Sequence, residues 1–527
     1  MLLNNLDFSN RLTEQLSADP ITDNIPRSVE NAVYSWVTPT PTSLPSLINF
    51  NEQFAYDLGL TKEDCTTQKF TQIMSGNALL DGMKPYALCY GGHQFGQWAG
   101  QLGDGRAINL GEIKTQQLGY QTLQLKGAGR TPYSRRGDGL AVLRSSIREY
   151  LCSEAMFNLG IATTRALSLC LTGDQVIRDK MYDGNAALES CAVVCRVSSS
   201  FLRFGSIQLP ASRGDETQVK ALVEFSIIND YPHLKPDNNN FTADIYLDWF
   251  KAVCANTSTM IVNWMRVGFV HGVMNTDNMS LIGETIDYGP YGWIDDFDLN
   301  WTPNTTDESQ KRYRFGAQFQ VSQWNLFQLA NAIFPLIGEA EPLQTIMSDY
   351  EINYNQQWQS MMASKLGFLE YQGITDLHIF QSLERLLSTV ETDMTLFYRL
   401  LATHQENIPP LEHFKKSYYL EEQLTQQYNI QLTDWLKTYH KRLKFDKLTP
   451  LQRQSNMNHI NPKYVLRNYL AQQAIELAEN GDYSEIEKLK KVLKTPYEEQ
   501  MEYHSYSNKR PDWARKKAGC SMLSCSS

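Results

Sequence analysis

Apolar and polar positions alternate along Arg106–Ile113 and again along Tyr120–Leu125, the period-two pattern of half-buried strands. The polar tract Gln117–Gly119 between them predicts a turn. The period then changes. Leu140, Leu143, Ile147 and Leu151 recur every three or four residues, which predicts an amphipathic helix with Asp138 as its N-cap and Gly160 as its stop. Two more strands are expected at Arg165–Leu171 and Ala192–Val197, then a polar linker, Asn229–Asn240, and a helix over 245–267 rich in Trp, Met and Val. Beyond residue 315 the pattern is helical almost throughout. Trp324, Leu326, Leu329 and Ile333 form one stripe, and further helices are expected near 376–402, 410–440, 463–479 and 483–493. A β-rich part with one early helix, followed by a helical part, is an α+β chain of two lobes with a cleft between them. The division reads as 1–80, a turn-rich N-terminal extension; 81–205, the β-rich lobe; 206–400, the helical lobe; and 401–527, a helical extension with a cysteine-containing tail.

Composition narrows the class. At 527 residues, with 42% hydrophobic and 20% charged positions, the chain is that of a globular protein too long for one small core. Its formal net charge of −10 argues against nucleic acid as a partner, because phosphate backbones require clustered Lys and Arg, yet leaves room for a local basic pocket. No apolar run reaches the length of a membrane span; the stretch 159–171 is interrupted by Arg165. Met1–Asn10 lacks the basic-then-apolar order of a signal peptide, so the cytoplasm is the expected compartment. The nine cysteines include no C-x-x-C pair. Cys152, Cys170 and Cys195 fall in apolar segments, the pattern of buried reduced thiols, whereas Cys520 and Cys525 fall in a polar tail expected to be mobile.

Candidate chemistry begins where glycine is dense: 12 of the 31 glycines lie between Gly91 and Gly139. Gly103-Asp-Gly-Arg106 offers the N–H groups of a glycine turn and a guanidinium to a phosphate, although a hairpin turn uses the same residues for its own geometry. Lys126 closes the second strand and Glu149 lies on the helix that follows. A strand lysine paired with a helix glutamate is the ion pair kinases use beside ATP; a solvated helix face is the plain alternative. Arg130, Arg135, Arg136, Arg144 and Arg148 surround Asp138-Gly139, a basic cluster that suits a polyphosphate or pairs with neighbouring acids. Arg196 and Arg203 bracket a strand exit, and an arginine between apolar neighbours requires a carboxylate or a phosphate.

The segment His271-Gly-Val-Met-Asn-Thr-Asp-Asn278, followed by Asp287-Tyr-Gly289, keeps the spacing of the kinase H-R-D-x-x-x-x-N and D-F-G motifs. Val273 stands where a kinase carries its catalytic Asp, and an extra acid, Asp277, precedes the Asn. Asn278 and Asp287 supply oxygen ligands of the kind Mg²⁺ accepts beside phosphate, and Asp277 can take a proton from an attacking hydroxyl. A turn would account for either motif alone. His271 reads as structural, and Asp295, Asp296 and Asp298 as a solvated loop start.

Together with YGGHQFGQWAGQLGDGRAINLGE, LQLKGAGRTPYSRRGDGLAVLRSSIREYL, CRVSSSFLRFGS, HGVMNTDNMSLIGETIDYGPYGWIDDFD, NPKYVLRNYLAQQAI and the ending Cys-Ser-Ser, these motifs resemble the selenoprotein O family over nearly the whole chain. Members of that family are protein adenylyltransferases of a pseudokinase fold, which hold ATP inverted relative to a kinase and move AMP onto Ser, Thr or Tyr hydroxyls. The resemblance implies a two-lobed protein-kinase-like α+β fold, with a β-rich N-lobe, a helical C-lobe and N- and C-terminal extensions. It implies nucleotide contacts from Gly103, Gly105, Arg106, Lys126, Asp138, Gly139, Arg196, Arg203 and Asp287. Mg²⁺, with Mn²⁺ as the alternative, would sit on Asn278 and Asp287; Asp277 would accept the proton, and Glu149 would pair with Lys126. The implied partners are ATP and protein substrates, with no nucleic acid and no membrane. Some members end in selenocysteine-Ser-Ser; here Cys525 holds that place as a candidate redox residue. Some bacterial members carry a cysteine in the loop after the Asp-Tyr-Gly motif as a disulfide partner for the tail. Here that loop reads LNWTPNTTD, without cysteine, which leaves a Cys520–Cys525 pair or a free thiol. An inactive pseudokinase-type nucleotide-binding module or a redox-regulated scaffold is the alternative function, and Val273 argues against an ordinary kinase.

Overall fold

The computed structural model describes residues 2–524. Its main sheet is built from β1 (Asp7–Phe8), β2 (Tyr34–Trp36), β3 (Ser46–Phe50), β4 (Tyr86–Leu88), β7 (Ala107–Thr115), β8 (Gly119–Lys126), β9 (Arg165–Asp179) and β10 (Ala186–Ser198). The path runs β2-β4-β7-β8-β10-β9-β3 with β1 added on β7, and every pairing is antiparallel. A separate hairpin, β5 (Gly91–Gln94) with β6 (Gln97–Gln101), leaves this sheet, and β11 (Phe269–Val270) pairs with β12 (Gly292–Trp293) farther along. The chain thus has mixed α and β content around an antiparallel sheet.

Period-two burial gives the sheet two apolar faces. Leu123 and Leu125 of β8, with Val193, Cys195 and Val197 of β10, pack with Phe54, Phe70 and Ile73 of the short helices Glu52–Asp57 and Gln68–Met74. Ala192 and Val194 of β10 join Ile147, Leu151 and Ala155 of the helix Leu143–Asn158 on the other face. Gln124 and Lys126 of β8 alternate with the leucines, so they share a face, and both are buried polar groups.

The helix over 143–158 carries Leu143, Ile147 and Leu151 of the expected stripe, while Leu140 lies before it and bridges to Ala128; Gly160, at φ +77°, follows its last turn. Its N-cap, however, is Val142, not Asp138. The Asp138 carboxylate instead accepts from Leu140 N at 2.9 Å and from Arg178 at 2.8 Å. β9 and β10 run far past the expected 165–171 and 192–197 as one long hairpin, because Thr172–Asp179 and Ala186–Cys191 are too polar to announce themselves by apolar alternation. The helix expected over 376–402 is two helices, Ile374–Leu387 and Met394–Leu401; β-branched Thr389, Val390 and Thr392 end the first, and Asp393 caps the second by accepting from Leu396 N. The segment 410–440 is likewise divided into Pro410–Phe414 and Gln426–Leu443.

Two expectations about charged and thiol groups are corrected. Asp295 is not solvated: it is held by Arg467 at 3.0 Å and Arg510 at 3.6 Å, in a cluster that also binds Asp393. Cys520 is buried, 2% exposed, not mobile in solvent, and burial pushes its thiol up to about 11. The stretch it belongs to is pinned by Leu523 N bonding Pro303 O at 2.9 Å and Thr305 N bonding Leu523 O at 2.7 Å. Cys525 lies outside the described residues. Among those residues no helix is long and apolar enough to cross a membrane.

Candidate active site

A cleft of about 820 Å³ opens between β7, β8 and the β9–β10 hairpin on one side and the 273–278 and 287–290 loops on the other. Gly103, Gly105, Arg106, Lys126, Asp138, Gly139, Arg196, Asp277, Asn278 and Asp287 all line it. Its floor is an ion-pair network. Lys126 Nζ lies 2.6 Å from Glu149 and 3.6 Å from Asp287. Arg196 Nη1 bridges the same two carboxylates, at 2.9 Å from Glu149 and 2.5 Å from Asp287, and its Nη2 donates to Gln124. Arg203, beneath the lining, donates to Asp287 Oδ2 and, at 2.7 Å, to the backbone carbonyl of Asp277, while its guanidinium lies over the Tyr90 ring.

This network sets the state of its acids. Burial would raise Asp287, but Arg203, Arg196 and Lys126 outweigh it and hold the carboxyl well below its ordinary value. Asp287 also adopts φ +57°, a left-handed conformation that costs an aspartate about 1–3 kcal/mol and persists because three cations fix its side chain. Asp277 is the opposite case. It sits in the short 3₁₀ turn Thr276–Asn278, and burial pushes its carboxyl up to about 6. Its Oδ1 is buried and has no hydrogen-bond partner among the described residues.

The glycine turn is shaped by close packing. Gly103 has φ +88°, and a Cβ there would fall 2.4 Å from the Tyr133 ring. Arg106, Arg130, Arg135 and Arg136 line the cleft. Arg144 and Arg148 leave the expected cluster: Arg144 pairs with Glu189, and Arg148 donates to Tyr291 O while stacking on that ring. His271 is buried between Trp264 and Ile286 O, a structural position.

Sequence reasoning passed over Asp104, Gln124 and Gln94. Asp104 accepts from Leu88 N at 3.1 Å and faces Arg203 at 4.0 Å; it lies inside the Gly-Asp-Gly turn, where an aspartate reads as turn chemistry. Gln124 could have been found, because it sits two residues before Lys126 on the same strand face. Gln94, which donates to Asp277, comes from a hairpin distant in sequence and had no local signal.

Among the described residues no cluster of three His, Cys, Asp or Glu side chains could hold a metal by itself. Asn278 anchors its amide nitrogen on Val273 O at 2.9 Å, so its Oδ1 and the Asp287 carboxylate are the hard oxygen donors these two residues bring to the cleft lining. That set fits Mg²⁺-type binding, in which one or two protein oxygens act together with substrate phosphate. Buried cations, a glycine turn and oxygen donors around one cleft define a site suited to a nucleotide polyphosphate with a divalent cation.

Comparison with known proteins agrees with that class. The family model described as "Protein adenylyltransferase SelO" matches residues 23–494, and the chain belongs to that family. It is 51% identical to the protein nucleotidyltransferase YdiU of Rhodopirellula baltica, covering 99% of both chains. It is also 51% identical to the Azoarcus sp. protein of that name, again over 99% of each, and 50% identical to that of Aromatoleum aromaticum over the full length of both.

Proposed function

We propose that this protein transfers AMP from ATP to a Ser, Thr or Tyr hydroxyl of a protein acceptor. The hydroxyl oxygen attacks the α-phosphorus, the bond from that phosphorus to the oxygen bridging to the β-phosphate breaks, and pyrophosphate leaves with the electron pair. The hydroxyl proton goes to Asp277. The observation that carries this reading is the placement of Asp277: a buried carboxylate with a raised proton affinity, on the same cleft wall as Asn278 and Asp287, while Val273 lines the cleft where a kinase base would stand.

Negative charge grows on the leaving pyrophosphate, so fixed cations do most of the work. Lys126, Arg196 and Arg203 are held in place before substrate arrives, and among the described residues Arg196 Nε and Arg203 Nε have no hydrogen-bond acceptor. Gly103, Gly105, Arg106, Asp138 and Gly139 would line the nucleotide's path. A divalent cation on Asn278 and Asp287, Mg²⁺ or Mn²⁺, would supply Lewis-acid neutralisation of phosphate oxygens.

This reading takes the architecture as kinase-like. The β-rich lobe falls within 81–205, with Lys126 on β8 and Glu149 on the next helix, and the helical lobe within 206–400 carries the 271–289 loops. Segment 1–80 lends β1, β2 and β3 to the sheet, and the described part of 401–527 extends the helical side. The test uses ATP labelled separately on the α- or the γ-phosphate, with Mg²⁺ and casein as acceptor. Label arriving only from the α position is expected. Transfer only from γ would establish a kinase, and no transfer from either would favour a binding module.

A further inference from the structure

The Asp277 carboxylate receives one hydrogen bond from another side chain among the described residues: Gln94 Nε2 donates to its Oδ2 at 3.3 Å. Oδ1, the other oxygen, has no partner and is pressed against Gly92, where a Cβ would come within 2.6 Å of it. One oxygen is therefore walled off by backbone, and the other is oriented by a single amide. Gln94 and Asp277 line the same cleft.

The hairpin that delivers Gln94 is fastened independently of it. His93 N donates to Thr276 Oγ1 at 2.8 Å, and Phe95 N donates to Tyr313 OH at 2.9 Å. Phe95 and Gly96 make the bend between β5 and β6 with φ of +51° and +81°. Gly91 and Gly205 meet so closely that a Cβ on Gly205 would lie 2.0 Å from Gly91 O. β5 thus lies directly on the 275–278 loop, and Gln94 and Phe95 at its end line the cleft. An amide suits this place. It donates to the carboxylate without cancelling its charge, and its own carbonyl oxygen can accept from an incoming hydroxyl.

We propose that Gln94 is the positioning residue for Asp277, holding the carboxylate so that Oδ2 faces the acceptor hydroxyl. This rests on the reading of Asp277 as the proton acceptor. It also explains why β5 and β6 leave the main sheet: their service is to the 275–278 loop, not to the sheet's own ladder.

The test is a double-mutant cycle in the full chain, with α-labelled ATP, Mg²⁺ and casein. Gln94→Leu is expected to lower kcat about 10- to 100-fold, the loss typical of a misplaced reacting group. The KM for ATP and the unfolding temperature should stay near wild type, because the hairpin's backbone anchors remain. In an Asp277→Asn background the same substitution should have no further effect. Gln94→Asn, which keeps the donor on a shorter arm, should recover part of the loss. If Gln94→Leu keeps full kcat, acts only through the KM for ATP, or reduces kcat equally in both backgrounds, the positioning role is overturned while the role of Asp277 stands. Full kcat in Asp277→Asn alone would overturn both.

Discussion

Asp277→Asn should make the protein more stable while lowering its activity about 100- to 10,000-fold, which leaves a residual rate. The Asp277 carboxyl is 8% exposed, its Oδ1 has no partner, and burial raises it from an ordinary 3.8 to about 6. A folded-state pKa above the unfolded value means that the folded protein binds the proton more tightly. The contribution to stability is therefore greatest below pH 4, declines as pH rises, and is lost above about pH 6. The shift is roughly two units, and each is worth about 1.36 kcal/mol, so the ionised carboxylate costs about 3 kcal/mol at pH 7 and about half of that at pH 5. Asparagine keeps the shape and removes the charge. With an unfolding entropy of about 1.1 kcal/mol per degree for a chain of this length, the metal-free variant should melt about 3 °C higher at pH 7, and the gain should shrink towards pH 4. Calorimetry at pH 5, 6 and 7 in the presence of a chelator measures this, with α-label transfer measured alongside. A variant that melts at or below the wild-type temperature at pH 7, or whose gain does not depend on pH, refutes the claim that the site holds an uncompensated buried acid.

Asp287→Asn should act in the other direction, because it strips Lys126, Arg196 and Arg203 of a shared buried counter-charge. Removing one partner of such a pair costs about 3–5 kcal/mol, so the ligand-free variant should melt several degrees lower and transfer should be lost; an unchanged melting temperature would contradict the network's role. Gly103→Ala places a Cβ 2.4 Å from the Tyr133 ring in a backbone conformation that disfavours alanine, and should cost about 1–3 kcal/mol and weaken ATP binding measured by calorimetric titration. Wild-type ATP affinity in that variant would show that the turn does not shape the nucleotide path.

What could be read from the chain depended on the range of the interaction. β7, β8 and the helix after them are legible because their periodicity is local, and Lys126 and Glu149 could be paired because a strand and the following helix pack in a predictable way. The long arm of β9 and β10 was not legible, since its outer half is polar and is held by cross-strand hydrogen bonds and not by an apolar face. Asp138 misled for a related reason: as a short acid before a helical stripe it has the chemistry of a cap, and only the fold brings Arg178 to it. Asp295 and Cys520 look exposed in a polar context, yet Arg467 and the 303–305 loop bury them from positions far away in sequence. The cleft's essential residues were visible as motifs, but their supports, Asp104, Gln124 and Gln94, were not.

The outer edge of the sheet has a consequence for how the protein is made. β3 is the last strand on its side, and side chains of the helix Ser484–Lys494 reach its C-terminal end: Glu487 accepts from Asn49 Nδ2, and Lys490 Nζ donates to Phe50 O at 2.8 Å across a sequence separation of 440 residues. A ribosome adding about 5–20 residues per second needs roughly 20–90 seconds to span that distance. For that interval the nascent chain carries an unguarded strand edge of the sort that recruits other strands. Production of the intact protein should therefore depend on chaperone supply during synthesis more steeply than the stability of the finished molecule would suggest.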